Sequence, residues 1–396
     1  MTEARNEPLN TIKTGLPRRD WILLPLLGLL TIVFLMAFTE LIARRMFSTM
    51  ENIMPTCLIL DDQSTGVRGR PNTTCMYKRP EHSLVEYRFN SCGHRAGIEC
   101  GPKPDGTYRI VLMGSSYSMG LGVPRENSFA ALLPNELSRQ ARRKVEIYNE
   151  GMWGGAPRRA VLNFNDVLAA KPDMILWPLT PWDIEHGSLL GNSTHVKLQD
   201  TAGKEIAFTG KVGLGALKIY RKLQDSSAAF LIRHFLYESQ SQYLRSYLSG
   251  RDDQTGFLKS EPSEEWQSYL RQFDIYFADA EARASAAGVP LVVVLVPNRA
   301  MAAMISAREW PASYDPYKLG EELRTIVTRH GGIYIDILPD FRNVPNPEKY
   351  YFPVDDHPYP EGHAVISSIL AKELTNGTVP SLRAATRPQA ASEQGK

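Results

Sequence analysis

Hydrophobic residues along this chain form one long unbroken segment near the beginning and several short runs further on. Residues 21–39 contain no charged side chain, and the charges of Asp20 and Glu40 mark the two ends of the segment. At about 1.5 Å per residue, a helix of this length nearly crosses a hydrocarbon layer of about 30 Å. The pattern therefore predicts a single transmembrane anchor that follows a short cytoplasmic tail, residues 1–20.

A cleaved signal peptide and a buried core helix are the two alternatives for this segment. A signal peptide has a shorter apolar region, about 7 to 15 residues, which leads into a small-residue cleavage site. Here the sequence continues with Glu40, Leu41, Ile42, Ala43, Arg44 and Arg45. We therefore favour an uncleaved anchor. Basic residues flank both ends, so the positive-inside bias favours a cytoplasmic N-terminus only weakly.

Short apolar runs recur later in the chain and are separated by sequence of helical character. They cover residues 109–113, 145–149, 174–179, 291–296 and 334–337, and residues 128–143 are an example of a helical spacer. Runs that are apolar on both faces and alternate with helices are typical of a parallel sheet covered on both sides. The sequence predicts a doubly wound α/β domain over residues 106–375, with five strands and a ligand site beyond their carboxyl ends.

Two segments depart from this alternation. Residues 185–265 are too long for one crossover and predict a helical insertion. Its larger apolar residues are expected to pack on the body, with a lid or a membrane-contacting surface as the alternative; they are Tyr220, Phe230, Leu231, Phe235, Tyr243 and Tyr247. Residues 379–396 are dominated by Pro, Ala, Ser, Arg and Gln, a composition that predicts a disordered tail.

All four cysteines lie in residues 40–105, which we expect to be a loop-rich linker. Cysteines confined to one segment after an anchor predict two disulfides and an oxidising compartment, so the domain should face the periplasm or the exterior. Three pairings are possible, and Cys57 with Cys75 and Cys92 with Cys100 would close the shortest loops. Zinc is the alternative, but the segment lacks a Cys-x-x-Cys pair and an accompanying histidine cluster.

The charge balance excludes some partners. The chain has 45 Lys and Arg against 43 Asp and Glu, a formal charge of +2. Proteins that neutralise many phosphates carry a basic excess, so nucleic acid is not an expected partner. The histidines outside the segments discussed below show no ligand spacing, and we expect neither a metal nor another cofactor.

Residues with the chemistry of a nucleophilic site lie at opposite ends of the predicted domain. Ser116 follows the first apolar run, and Asp355 stands two residues before His357. A serine hydroxyl needs a base to become a nucleophile, and an aspartate can orient the imidazole that serves as this base. Asp356 competes with Asp355 for that role. The alternatives are that Ser116 caps a helix and that His357 is a surface histidine.

Five segments of the chain, in their order along the sequence, resemble the lead-in and the four conserved blocks of the SGNH (GDSL-type) hydrolase superfamily. The resemblance is strongest to its membrane-anchored bacterial envelope members, which include alginate-type sugar O-acetyltransferases, and it covers most of residues 85–375. The lead-in and the four blocks correspond to residues 87–95, 109–123, 149–154, 180–183 and 355–357.

The resemblance implies a role for each matched residue. Ser116 would be the nucleophile, His357 the base and Asp355 its orienting carboxylate. The backbone N–H groups of Ser116 and Gly154 would bind the oxyanion.

Two residues depart from the family pattern. Ser115 stands where the family usually has aspartate, and Trp182 stands where an asparagine normally donates to the oxyanion. The loss of one such donor typically costs on the order of 10²–10³ in rate. Thr180 or a water is the alternative donor.

The expected function is a membrane-anchored serine esterase that acts on acyl or acetyl esters of an envelope or exported polysaccharide or lipid. One alternative is an O-acyltransferase on the same substrates. Another is a catalytically inactive carbohydrate-binding or assembly subunit of an envelope complex. A third is that the resemblance is spurious and the sheet belongs to a generic flavodoxin-like domain.

Overall fold

The computed structural model describes residues 19–49, 56–62, 66–154, 157–186, 226–250 and 252–383. The strands in this part of the chain are β1 (Leu58–Asp62), β2 (Gly66–Gly69), β3 (Thr74–Tyr77), β4 (Val85–Arg88), β5 (Tyr108–Leu112), β6 (Val145–Asn149), β7 (Met174–Leu179), β8 (Leu291–Leu295) and β9 (Ile333–Ile335).

The helices alternate with the later strands. They are α1 (Asp20–Met46), α2 (Ser116–Met119), α3 (Phe129–Ala141), α4 (Pro157–Leu162), α5 (Phe164–Ala169), α6 (Pro181–His186), α7 (Ser227–Tyr237), α8 (Gln240–Leu248), α9 (Asp252–Thr255), α10 (Glu264–Ala286), α11 (Arg299–Ala307), α12 (Lys318–Arg329), α13 (Leu338–Phe341) and α14 (Pro360–Thr375). Four 3-10 turns also occur among these residues, at Arg125–Asn127, Gly256–Leu258, Pro347–Tyr350 and Pro380–Leu382.

A five-stranded sheet forms the centre of the fold, with the order β6-β5-β7-β8-β9 and every neighbouring pair parallel. This is the order 2-1-3-4-5 of flavodoxin-like doubly wound domains, whose ligands bind at the carboxyl ends near the first and third strands. All residues of β5, β7 and β8 are buried, because helices cover both faces. The predicted fold class is confirmed.

Two hydrophobic cores hold the helices on the sheet. On one face, Trp177 of β7 packs against Phe273 and Phe277 of α10, with ring centroids 5.9 Å and 6.4 Å away. On the other face, α3 and α14 bury Phe129 and Leu370 in a core that also contains the side chains of β5 on that face of the sheet. Each such side chain stabilises the fold by about 1.5–3 kcal/mol when it is fully buried.

Helix α1 is the only helix among the described residues that is long and apolar enough to cross a membrane. None of its most apolar window is buried against the body. The helix continues past the predicted end at residue 39, and Glu40 pairs there with Arg44 at 2.8 Å. An apolar N-terminal helix and two disulfides are features of a membrane or exported protein.

The cysteine-bearing segment is more ordered than the predicted linker. The disulfides are Cys57–Cys75 and Cys92–Cys100, and no described cysteine is free for zinc. Strands β1 with β2 and β3 with β4 form two antiparallel pairs.

This segment packs on the α/β body. Tyr87 and Phe89 are buried in a hydrophobic cluster that also includes Met119 and Leu121 of the body. The buried guanidinium of Arg95 donates to backbone carbonyls of the body, among them that of Val123 at 2.7 Å. The segment is therefore part of the folded domain.

The two other irregular segments are described in part. Residues 187–225 of the insertion, including Tyr220, lie outside the described residues, as do residues 1–18 and 384–396. The predicted disordered tail begins too early at residue 379, because Val379 and Leu382 are fully buried against α14 and its neighbours.

Candidate active site

Ser116 lies immediately beyond the carboxyl end of β5, at the first residue of α2. Gly114 has φ +121°, and a Cβ there would lie 2.9 Å from the carbonyl oxygen of Pro178, so the sharp turn requires glycine. Ser115 is the N-cap residue of α2. The hydroxyl of Ser116 instead lies 2.7 Å from Nε2 of His357.

His357 lies in the loop that leads into α14, and Asp355 completes the series. Nδ1 of His357 is 2.7 Å from Oδ2 of Asp355. The loop is closed by the backbone N–H of Phe352, which donates to the carbonyl of His357 at 2.8 Å, and by the Tyr117 hydroxyl, which donates to the carbonyl of Asp356 at 2.5 Å. Hydroxyl, imidazole and carboxylate are thus hydrogen-bonded in series, the arrangement that activates a serine.

Asp355 has two further partners, both from the connection between β3 and β4. Nη1 of Arg79 lies 2.6 Å from Oδ1, and Nε2 of His82 lies 2.9 Å from Oδ2. Burial by itself would raise the pKa of Asp355. The charges of His357 and Arg79 and the hydrogen bonds of His357 and His82 outweigh it and hold the pKa of Asp355 well below its usual range.

The backbone of the Asp355 loop is held by Glu81. Its carboxylate accepts the N–H groups of Asp355 at 2.8 Å and of Val354 at 3.0 Å. Nδ1 of His234 in α7 lies 2.7 Å from the same carboxylate. Sequence reasoning missed Arg79, Glu81 and His82. They have no periodic or motif spacing, and only their position ahead of the lead-in at Tyr87 hinted at the site.

Asp356 was the competitor for the orienting role, and its side chain points elsewhere. Oδ1 accepts the backbone N–H of Arg299 at 2.9 Å, and Oδ2 accepts the indole N–H of Trp182 at 3.3 Å. Burial raises the pKa of Asp356 to about 6, against the opposing effects of Arg299 and Trp182.

The two proposed donors of the third block both interact with carboxylates. The indole N–H of Trp182 donates to Asp356. The hydroxyl and the backbone N–H of Thr180 both donate to Oδ2 of Asp183, at 2.8 Å and 2.6 Å, and this interaction caps α6. Both residues line the site, but these contacts direct their donors to carboxylates.

A cavity of about 380 Å³ opens beside Ser116 and His357. Gly154, with φ +68°, lines this cavity, and a Cβ added there would meet nothing within 4 Å. Trp153, Trp182 and Arg79 are among the other lining residues. The volume is typical of small-molecule sites, and the walls include both aromatic and charged side chains.

No group of three or more His, Cys, Asp or Glu with the geometry of a metal site occurs in the described ranges. The groups that line the cavity can supply a nucleophile, a base and backbone donors. This is the chemistry of acyl transfer to and from a serine.

No family model and no curated protein matches the chain. Solved structures do show similarity. An alpha/beta hydrolase enzyme from the metagenome of Lake Arreo is 16% identical, with TM-score 0.38, over 70% of this chain and 97% of that one. A mutant acetyl-xylooligosaccharide esterase from Geobacillus is 11% identical, with TM-score 0.38, over 67% and 94%. A lipolytic protein of the G-D-S-L family from Veillonella parvula is 12% identical, with TM-score 0.35, over 67% and 97%.

We predict that His82 positions the Asp355 carboxylate. His82→Leu removes one donor, and we expect the rate of ester turnover to fall about tenfold, since a hydrogen bond to a charged group is worth about 1.5–3 kcal/mol. His82→Gln keeps an N–H donor and should restore most of the rate. Equal defects in both variants would contradict this role.

We predict that the Trp182 indole N–H is not an oxyanion donor. Trp182→Phe keeps an aromatic ring in the cavity and removes only the donor, so turnover of a short aryl ester should change by less than about tenfold. Loss of an oxyanion donor typically costs about 10²–10³ in rate. A loss of that size, with the fold intact by circular dichroism, would show that the indole turns towards the substrate.

We predict that Asp356 makes the stability of the protein depend on pH. Its pKa is about 6 in the folded protein, against an ordinary value of 3.8. The unfolded chain therefore loses this proton first as the pH rises. The stabilising contribution is complete below about pH 4 and is lost as the pH rises through about 6, on the order of 1 kcal/mol per pKa unit.

Asp356→Asn removes this titration. Denaturant titration in detergent at several pH values measures the difference in unfolding free energy between wild type and variant. This difference should decrease from pH 4 to pH 7, and the position of the decrease should agree with the pKa of Asp356 to about one pH unit. A constant difference over this interval would rule out Asp356 as the titrating group.

Proposed function

We propose that the protein is a membrane-anchored serine esterase of the SGNH type. One observation carries the proposal: Oγ of Ser116, the imidazole of His357 and the carboxylate of Asp355 are joined by two hydrogen bonds of 2.7 Å at the wall of a cavity. A helix cap and a surface histidine would not require this alignment, which joins residues 241 positions apart in the chain.

In the proposed reaction, Ser116 Oγ attacks the ester carbonyl carbon while its proton passes to Nε2 of His357. The N–H groups of Ser116 and Gly154 bind the tetrahedral oxyanion. Collapse breaks the carbon–oxygen bond to the alcohol, which leaves with the proton from His357. Water then repeats the sequence on the acyl-enzyme, releasing the acid and restoring the serine.

The substrate class follows from the setting of the site. Helix α1 anchors the domain to a membrane in this proposal, and the disulfides indicate the oxidising side of it. The substrate is then an acyl or acetyl ester of an envelope or exported polysaccharide or of a lipid. A sugar hydroxyl that replaces water as the acceptor would make the same machinery an O-acyltransferase.

The contacts of the third block favour a second candidate function. The donors of Trp182 and Thr180 interact with carboxylates, which would leave the oxyanion only backbone donors. An inactive carbohydrate-binding or assembly subunit would retain the fold and the cavity without needing a complete oxyanion hole.

A fluorophosphonate probe tests the esterase, because it reacts only with an activated serine. We expect wild-type protein to be labelled, Ser116→Ala to lose all labelling, and His357→Ala to lose at least about 10²-fold in labelling rate. Ser115→Ala is the matched control, since Ser115 lines the same cavity and its side chain makes no capping hydrogen bond to α2. Labelling of this variant should stay within about threefold of wild type.

The second candidate predicts a different result. Wild-type protein that is never labelled and that hydrolyses no short aryl ester would exclude the esterase. A thermal shift with candidate glycans would then support the binding subunit. If labelling occurs, the product distinguishes the two enzymes. A hydrolase releases the acyl group to water, and a transferase moves it to an added oligosaccharide.

A further inference from the structure

The first turn of helix α7 contacts Glu40, the residue that ends the apolar segment of α1. The carboxylate of Glu40 accepts the backbone N–H groups of Ala228 at 2.8 Å and Ser227 at 3.4 Å, and so caps the first turn of α7. Phe47, just beyond α1, packs against Phe230 with ring centroids 5.0 Å apart. If α1 spans a membrane, as the proposed function requires, α7 begins at the boundary between hydrocarbon and water.

Helix α7 leaves large apolar side chains uncovered on one face. Ile232, Phe235 and Leu236 are 56%, 60% and 48% exposed. Positions i, i+3 and i+4 share one face of a helix, so the three side chains form a continuous patch. Adjacent exposed apolar residues of this size mark a contact with a membrane or with another protein. A different side of the helix faces the body, where His234 contacts Phe47 and Glu81.

The charges around this patch suit a lipid surface. Helix α7 contains no acidic residue and carries Arg233, while its other basic residue, His234, faces Glu81 on the body. Arg44 and Arg45 form the last turn of α1 and are exposed. A helix with an apolar face and basic neighbours at the end of a span is typical of the membrane interface, where basic groups meet lipid phosphates.

We propose that α7 is a membrane-surface helix that inserts Ile232, Phe235 and Leu236 into the bilayer beside α1. The capped junction with α1 favours the bilayer over a second protein copy, because it fixes the patch next to the membrane whenever the anchor is inserted. The proposal rests on the anchoring role of α1 in the proposed function, but it is independent of esterase activity.

The position of α7 also connects the membrane to the candidate active site. His234 contacts Glu81, and Glu81 holds the backbone of Asp355. Docking of α7 therefore holds the cavity close to the bilayer surface. Esters that stand near the membrane, on lipids or on glycans attached to them, would then be presented to Ser116.

Depth-dependent fluorescence tests the docking in the full chain. All four cysteines are paired in the two disulfides, so an introduced thiol can be labelled selectively with the polarity-sensitive dye NBD. Ile232→Cys reports on α7 and Leu30→Cys on the middle of α1. Ile275→Cys on α10, at an isoleucine that is 68% exposed, is the matched control. Each variant is reconstituted in phosphatidylcholine vesicles with 20–30% phosphatidylglycerol, roughly the anionic content of a charged leaflet.

We expect blue-shifted emission at residue 232, with at least about twofold more quenching by lipids that carry a nitroxide near the headgroup than at residue 275. Residue 30 should be quenched best by nitroxides deep in the acyl chain. A second substitution, Phe235→Asp, should reduce the quenching at residue 232 and leave that at residue 30 unchanged.

The other outcomes overturn the proposal in distinguishable ways. Quenching at residue 30 with solvent-like emission at residue 232 would reject docking of α7 and retain the anchor. Protection of residue 232 from aqueous iodide without quenching by nitroxide lipids would assign the patch to a second protein copy. Absence of quenching at residue 30 would reject the anchor and the docking together, while labelling of Ser116 by the fluorophosphonate probe would still report independently on the esterase.

Discussion

The hydrogen bond between Ser116 and His357 is the interaction on which the rest of the site depends. It joins the end of the first central strand to the loop before the last long helix. A single hydrogen bond contributes only about 0.5–1.5 kcal/mol, so it cannot by itself hold these two segments together. The packing of α3 and α14 on one face of the sheet brings them to the same rim. The geometry of the candidate site is therefore a consequence of the core.

The second constraint is the setting of the Asp355 carboxylate. It is buried and interacts with His357, His82 and Arg79, while Glu81 fixes its backbone. A buried carboxylate with several donors stays ionised and keeps one orientation. Since Arg79, Glu81 and His82 belong to the cysteine-bearing segment, that segment contributes directly to the contacts of the candidate site.

In the third-block region, the departure at Trp182 is matched by a contact with Asp356. Asp356 lies next to His357 but is held by the backbone of Arg299 and the indole of Trp182. A tryptophan at position 182 thus gives a buried carboxylate a donor, which lowers the cost of its burial. The two residues form one unit of the cavity wall, and the oxyanion would depend mainly on the backbone N–H groups of Ser116 and Gly154.

The sequence by itself determined the five-stranded sheet, the apolar N-terminal helix and the candidate residues Ser116, Asp355 and His357, because periodicity and short motifs are local properties of a chain. It did not choose the cysteine pairing, and it did not identify Arg79, Glu81, His82 or His234. These four lie in loops or on an irregular insertion, and Arg79, for example, meets a partner more than 270 residues away. Only the tertiary structure decides such contacts, since the packing of separate elements sets which distant side chains meet.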